Sequence, residues 1–104
     1  MDALPARYTA SDRLKDFPTA VSQARIKALS SSTRDIEQAF GQLCGTVSRT
    51  DTTDGLRISF ENDEIIHLRP SGNAPELRCY NEAGSPERAR ELNRACMDVL
   101  STWR

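Results

Sequence analysis

From Thr46 onward the chain abandons a helical period for alternation by twos, and that switch limits what it can fold into more than any other feature. In Leu56-Arg57-Ile58-Ser59-Phe60 the alternate residues Leu56, Ile58 and Phe60 face one way. Such a run is a strand with one face buried. A strand from Thr46 to about Asp51 precedes it across an Asp54-Gly55 turn, a pair suited to the positive φ of a tight hairpin. Asn62-Asp63 supplies the next turn. Glu64 to Leu68 then forms another strand, and Glu76 to Asn81 one more after an intervening loop. Short connections of this kind join antiparallel neighbours. A sheet with one apolar face must be covered, so the rest of the chain is read for what covers it.

The closing segment answers most directly. Ser85 is placed as an N-cap, Pro86 at the first helical position and Glu87 in the first turn. Ala89, Leu92, Cys96, Val99, Leu100 and Trp103 follow on one stripe, with Trp103 expected to be partly exposed. Earlier, Pro18 or Thr19 starts a helix with Val21, Ala24 and Ala28 on one face. Ser30-Ser31-Ser32-Thr33 offers caps for a second helix, in which Asp35 favours the first turn and Ile36, Phe40 and Leu43 face the core; Gly45 ends it. Arg7 to Leu14 can run extended with Tyr8, Ala10, Asp12 and Leu14 on one face, although Asp12 spoils the apolar pattern. The expected fold is α+β: a two-layer domain with a mainly antiparallel four-stranded sheet and helices packed on one face.

Size and charge narrow the function. A chain of 104 residues is one compact domain, able to bury roughly two-thirds of its unfolded surface. Fourteen Lys+Arg against fifteen Asp+Glu leaves a net charge of -1, so there is no general basic field for nucleic acid or an anionic membrane. Any anion site has to be local. No segment approaches the ~20 apolar residues that span a bilayer, and the first residues lack the marks of a signal peptide, so a cytoplasmic location is expected. Cys44, Cys79 and Cys96 form no close pair and each sits in an apolar pattern, which predicts buried, reduced thiols.

A local anion site is what residues 69–78 offer: Arg-Pro-Ser-Gly-Asn-Ala-Pro-Glu-Leu-Arg, hung between two strands. Arg69 and Arg78 carry planar, permanently charged forks that can meet phosphate oxygens with paired hydrogen bonds. Ser71 brings a hydroxyl and Asn73 an amide, while Gly72 leaves room for backbone N–H groups to turn inward. Pro70 and Pro75 stiffen both shoulders and reduce the entropy lost on binding. The same residue types also make an ordinary reverse turn, and local chemistry alone leaves both readings open.

The stretch Leu68 to Tyr80 (LRPSGNAPELRCY) resembles the phosphate-binding loop in the C-terminal, fourth domain of the α-D-phosphohexomutase family, whose usual form is Arg-x-Ser-Gly-Thr-x-Pro. It looks most like the bacterial phosphomannomutase branch. The similarity extends to Arg7–Pro18 (RYTASDRLKDFP), Asp51–Phe60 (DTTDGLRISF) and the closing helix. The resemblance implies a TATA-box-binding-protein-like fold. It also implies that Arg69, Ser71, Gly72 and Asn73 bind the phosphate of a sugar phosphate that is not being transferred, with Arg78 as a further candidate that could instead pair with a carboxylate. Asn73 stands where many relatives have threonine, and Ala74 where many have glutamate. In such enzymes mannose 6-phosphate and mannose 1-phosphate interconvert through a bisphosphate intermediate. The phosphoserine donor and the Asp-rich loop holding Mg²⁺ lie in other domains. The chain is thus expected to be a fragment of a longer four-domain enzyme, inactive alone, partnered by the other domains of the same polypeptide. The alternative is a freestanding module that binds phosphate or another protein.

Outside the loop the charges read as surface chemistry. Arg88, Arg90, Glu91, Arg94 and Asp98 are assigned to the solvent face of the last helix, and Arg49 and Arg57 to the sheet surface. His67 shares a strand face with Arg69 and either approaches the phosphate or serves the fold. Asp51 and Asp54 beside Gly55 have too few ligands for a metal and are explained by turn formation.

Overall fold

Five strands, one more than expected, form the sheet. The structure, a computed structural model, describes residues 8–70 and 75–103. Its elements are β1 (Tyr8–Leu14), α1 (Thr19–Ser30), α2 (Thr33–Cys44), β2 (Val47–Asp51), β3 (Leu56–Phe60), β4 (Ile65–Pro70), β5 (Leu77–Ala83) and α3 (Pro86–Ser101). The sheet order is β1-β5-β4-β3-β2 and every neighbouring pair is antiparallel. β2 to β5 make the meander that the turns dictate. The additional strand is β1, which closes the β5 edge. An edge strand needs no apolar alternation on its outer side, so Asp12 is tolerated opposite Cys79, and the four-strand expectation is corrected accordingly.

All three helices cover one face. Leu56, Ile58, Phe60, Ile66, Leu68, Leu77 and Cys79 point into a core completed by Ile36 and Phe40 of α2, Leu92, Cys96 and Leu100 of α3, and Ile26 and Leu29 of α1. Each fully buried Leu, Ile or Phe contributes about 1.5–3 kcal/mol. The three cysteines are free and buried. One polar pair sits inside: Asn93 Nδ2 donates to Asn81 Oδ1 at 2.8 Å, and Asn81 Nδ2 donates to the Ile65 carbonyl at 3.4 Å. Their amides are therefore satisfied where an unpaired one would be costly.

Two expectations need correction. In α1 the inward residues are Ser22, Ile26 and Leu29, with Val21 partly buried, whereas Ala24 and Ala28 are exposed. Alanine fits either face, so it misplaces a stripe; Ser22 can be buried because its hydroxyl donates to the Thr19 carbonyl at 3.0 Å. Arg88 is likewise not a solvent-face residue. It forks onto Glu64, with Nε 2.6 Å from Oε2 and Nη2 2.9 Å from Oε1, joining α3 to the start of β4.

The caps follow the sequence reading. Ser32 accepts from Asp35 N at 3.2 Å and Ser85 accepts from Arg88 N at 3.1 Å. Ser85→Ala should lower stability by about 0.5–2 kcal/mol, read as a drop in the melting midpoint. An unchanged midpoint would show that Pro86 and the Arg88 pair hold this helix end without the cap.

Candidate functional site

The loop of interest leaves the sheet between β4 and β5, and the register sets what stands at its mouth. Arg69 is paired with Arg78, and Pro70 with Leu77. Ser71, Gly72 and Asn73, like Ala74, lie outside the described residues. The loop's far shoulder is tied down: the Pro75 carbonyl accepts from Phe17 N at 2.6 Å, and Phe17 is fully buried. Both shoulders thus rest on packed structure.

Directly paired residues in an antiparallel sheet share a face. Arg78 is also paired with Arg13 on β1, so Arg69, Arg78 and Arg13 stand in one row across three strands, on the face away from the helices. Beside this row runs a second, Arg57, His67, Tyr80 and Ser11. Three guanidiniums side by side repel, and the neighbours that offset this are modest. Arg13 Nε lies 3.6 Å from Glu76 Oε2, too long for a hydrogen bond. Arg78 is fully exposed, and its pKa is raised first by a hydrogen bond to the Tyr80 side chain and further by Glu76.

Arg69 is the best braced of the three. Its Nε lies 3.2 Å from Asp54 Oδ1 and 3.1 Å from Oδ2, and the guanidinium carbon sits 5.9 Å from the centre of the Tyr80 ring. Asp54 belongs to the β2–β3 turn, which docks against the end of β4. There His67 Nε2 is 2.6 Å from the Asp54 carbonyl oxygen, and a Cβ on Gly55, whose φ is +72°, would stand 2.2 Å from the Leu68 carbonyl oxygen. His67 therefore has a structural partner. Asp54, read from sequence as turn chemistry, does more than close the hairpin: it reaches the arginine at the loop's base. Asp51 fits the turn reading, accepting from Thr53 N at 2.8 Å.

Chemically, the arrangement is an open cationic surface at the base of a proline-flanked loop. Engaging Arg69 through Nε leaves its two terminal nitrogens as a second, parallel pair of donors. The Asp54 pair is solvent-exposed on both sides, 44% and 60%, so it is worth at most about 1 kcal/mol and yields readily to a dianion. No group of three His, Cys, Asp or Glu among the described residues could hold a metal ion. Among them also, no helix is long and apolar enough to cross a membrane. The sequence marks neither Arg13 nor Tyr80 as a site residue, and it assigns Asp54 to turn chemistry alone. Alternation assigns each to a face, but only pairing makes them neighbours.

The sequence model of a family described as phosphoglucomutase/phosphomannomutase, C-terminal domain, matches residues 12–99. A phosphomannomutase of Salmonella muenchen is 50% identical over 86 residues, covering 83% of this chain and 18% of that protein. One from Sinorhizobium fredii is 42% identical over 92 residues, covering 88% of this chain and 19% of the relative. A probable phosphoglucosamine mutase of Methanosphaera stadtmanae is 27% identical over 92 residues, 86% of this chain and 20% of its own length. The chain spans about a fifth of the length of these curated relatives.

Proposed function

Because the chain belongs to the phosphoglucomutase/phosphomannomutase C-terminal domain family, we propose that it is the substrate-phosphate clamp of a phosphomannomutase. In this reading Arg69, Ser71, the Gly72 backbone and Asn73 grip the phosphate of the sugar phosphate that is not being transferred, and Arg78 assists from the next strand. The clamp orients the reacting end and favours closure of the cleft formed with the remaining domains. Binding energy from a non-reacting phosphate is then used for orientation. The two relatives of highest identity cited above are named phosphomannomutases, which supports mannose 6-phosphate and mannose 1-phosphate as the substrate pair.

The observation that carries the proposal is the register Arg69 opposite Arg78 at the loop mouth. It aligns two forks at the base of a loop rich in small donors. Asp54 complements this by holding Arg69 through Nε, so that the terminal edge can meet phosphate oxygens. The Mg²⁺ of the family's reaction finds no fitting ligand set among the described residues. Asp51 and Asp54 are engaged with Thr53 and Arg69.

Charge-assisted hydrogen bonds contribute ~1.5–3 kcal/mol each, against an association cost of ~4–15 kcal/mol. Three or four such bonds give millimolar affinity or weaker for the isolated chain. Titration with mannose 6-phosphate, followed by amide NMR, should shift Arg69 to Asn73 first. Arg69→Ala should abolish those shifts while leaving the dispersed spectrum of the fold. In the complete polypeptide the same substitution should lower kcat/KM by about 10²-fold or more. Shifts confined to α3, or normal turnover without Arg69, would refute the clamp.

A further inference from the structure

Three arginines paired directly across β4, β5 and β1 make an arrangement that a fold gains nothing from keeping for itself. Like charges directly opposite each other in a sheet destabilise it. Here the central residue, Arg78, has an arginine on each side, and the Tyr80 side chain offsets its charge more than Glu76 does. Next to it, Ser11, Asp12, Arg13, Arg78 and Tyr80 line an open hollow of about 180 Å³. That is roughly six waters' worth of space, ample for a tetrahedral oxyanion. Arg13 is half exposed, at 51%, and its approach to Glu76 is too long to hold it in place, so its fork is free to swing toward the row.

We propose that Arg13 on β1, with Arg78 and the Tyr80 hydroxyl, forms an outer anion site beside Arg69, holding phosphate oxygens that Arg69 does not reach. The inference rests on the phosphate-clamp reading and extends it to a strand that the motif does not include. The ligand class is a phosphate monoester dianion, which offers three terminal oxygens and so has acceptors for more than one fork. Asp54 holds Arg69 at one end of the row until the dianion draws it in, while Arg13, only loosely approached by Glu76, is free to follow from the other end.

The test uses the 104-residue chain, with inorganic phosphate and mannose 1-phosphate titrated separately at constant ionic strength, read by amide and arginine Nε–H NMR. In the wild type, signals of residues 11–13 and 78–80 should move together with that of Arg69. Arg13→Ala should weaken binding of both probes about three- to tenfold, while the ligand-free melting midpoint stays level or rises as repulsion in the row is relieved. Arg13→Lys should recover part of the affinity, since it restores charge without the fork. An Arg13→Ala chain with wild-type affinity overturns the proposal, as does a lowered midpoint with unchanged affinity. Arg69→Ala separates the two levels. If it alone abolishes binding and Arg13→Ala does not weaken it, the clamp stands and the outer site falls; if only Arg13→Ala weakens binding, the loop assignment falls and the outer site remains.

Discussion

Glu64→Ala should be among the most damaging single substitutions in this domain, lowering its stability by about 2–4 kcal/mol. At this chain length that is a fall of roughly 10–20 °C in melting midpoint. Glu64 is only 10% exposed in its side chain and accepts four hydrogen bonds from three residues. Arg88 donates to both oxygens, Asn62 Nδ2 donates to Oε1 at 3.0 Å, and the Cys44 thiol lies 3.4 Å from the same oxygen. Removing the carboxylate strands a half-buried guanidinium whose other partners are the Leu43 carbonyl and an exposed Glu91. It also frees α3 from the β3–β4 turn. Glu64→Gln, which keeps an acceptor, should recover part of the loss.

The same group predicts a pH dependence with a definite sign. Hydrogen bonds from Arg88, chiefly, hold the Glu64 carboxyl below the usual glutamate range against the opposing effect of burial. A carboxylate with a depressed folded-state pKa contributes stability that is fully present above its unfolded value, ~4.3, and is lost as pH falls through the lower folded value. Wild-type stability should therefore fall more steeply in that acid window than the stability of Glu64→Ala, and the two curves should converge. Curves that stay parallel from pH 6 down to pH 3 would show that the pair adds nothing net. Burial, above all, pushes the neighbouring Cys44 thiol upward, so it stays protonated and unreactive across the whole window.

Gly55→Ala is the second large effect, about 2–4 kcal/mol, and it reaches the candidate site as well. The residue has φ +72°, which disfavours any Cβ, and the added carbon would meet the Leu68 carbonyl oxygen at 2.2 Å, a backbone atom that cannot rotate away. The β2–β3 turn must then lift from β4, carrying Asp54 away from Arg69 and its carbonyl away from His67. Gly55→Asn separates the two causes. Asparagine tolerates positive φ but still carries the Cβ, so it should rescue little. Recovery of most of the stability by Asn would mean that backbone strain alone is responsible and that the turn can move off Leu68 at low cost. NMR signals of Arg69 and His67 should shift in both variants, because the turn is their shared support.

Much of the architecture could be read from order and spacing. Leu56, Ile58 and Phe60 alternate because a strand buries every second side chain, and Ser85-Pro86-Glu87 starts a helix for reasons confined to its own first turn. Where packing rather than local chemistry decided, the reading slipped. Ala24 and Ala28 carry too little apolar surface to define a face, and the Ile26 and Leu29 side won. Arg88 looks like any exposed helical arginine until Glu64, 24 positions earlier, is brought beside it. The strand Tyr8–Leu14 has mixed polarity because one of its edges is open, so periodicity undervalued it.

The chain's order of residues determined its family, its α+β class, the ends of its helices and the existence of a proline-shouldered loop with an arginine at each end. Each of these is written within a few consecutive residues, where φ preferences, caps and side-chain alternation act. Folding in three dimensions decided the company those arginines keep: Arg13 in line with Arg78, and Asp54 against Arg69. Cross-strand register arises from packing the whole sheet under three helices, and no local interaction along the chain can specify it.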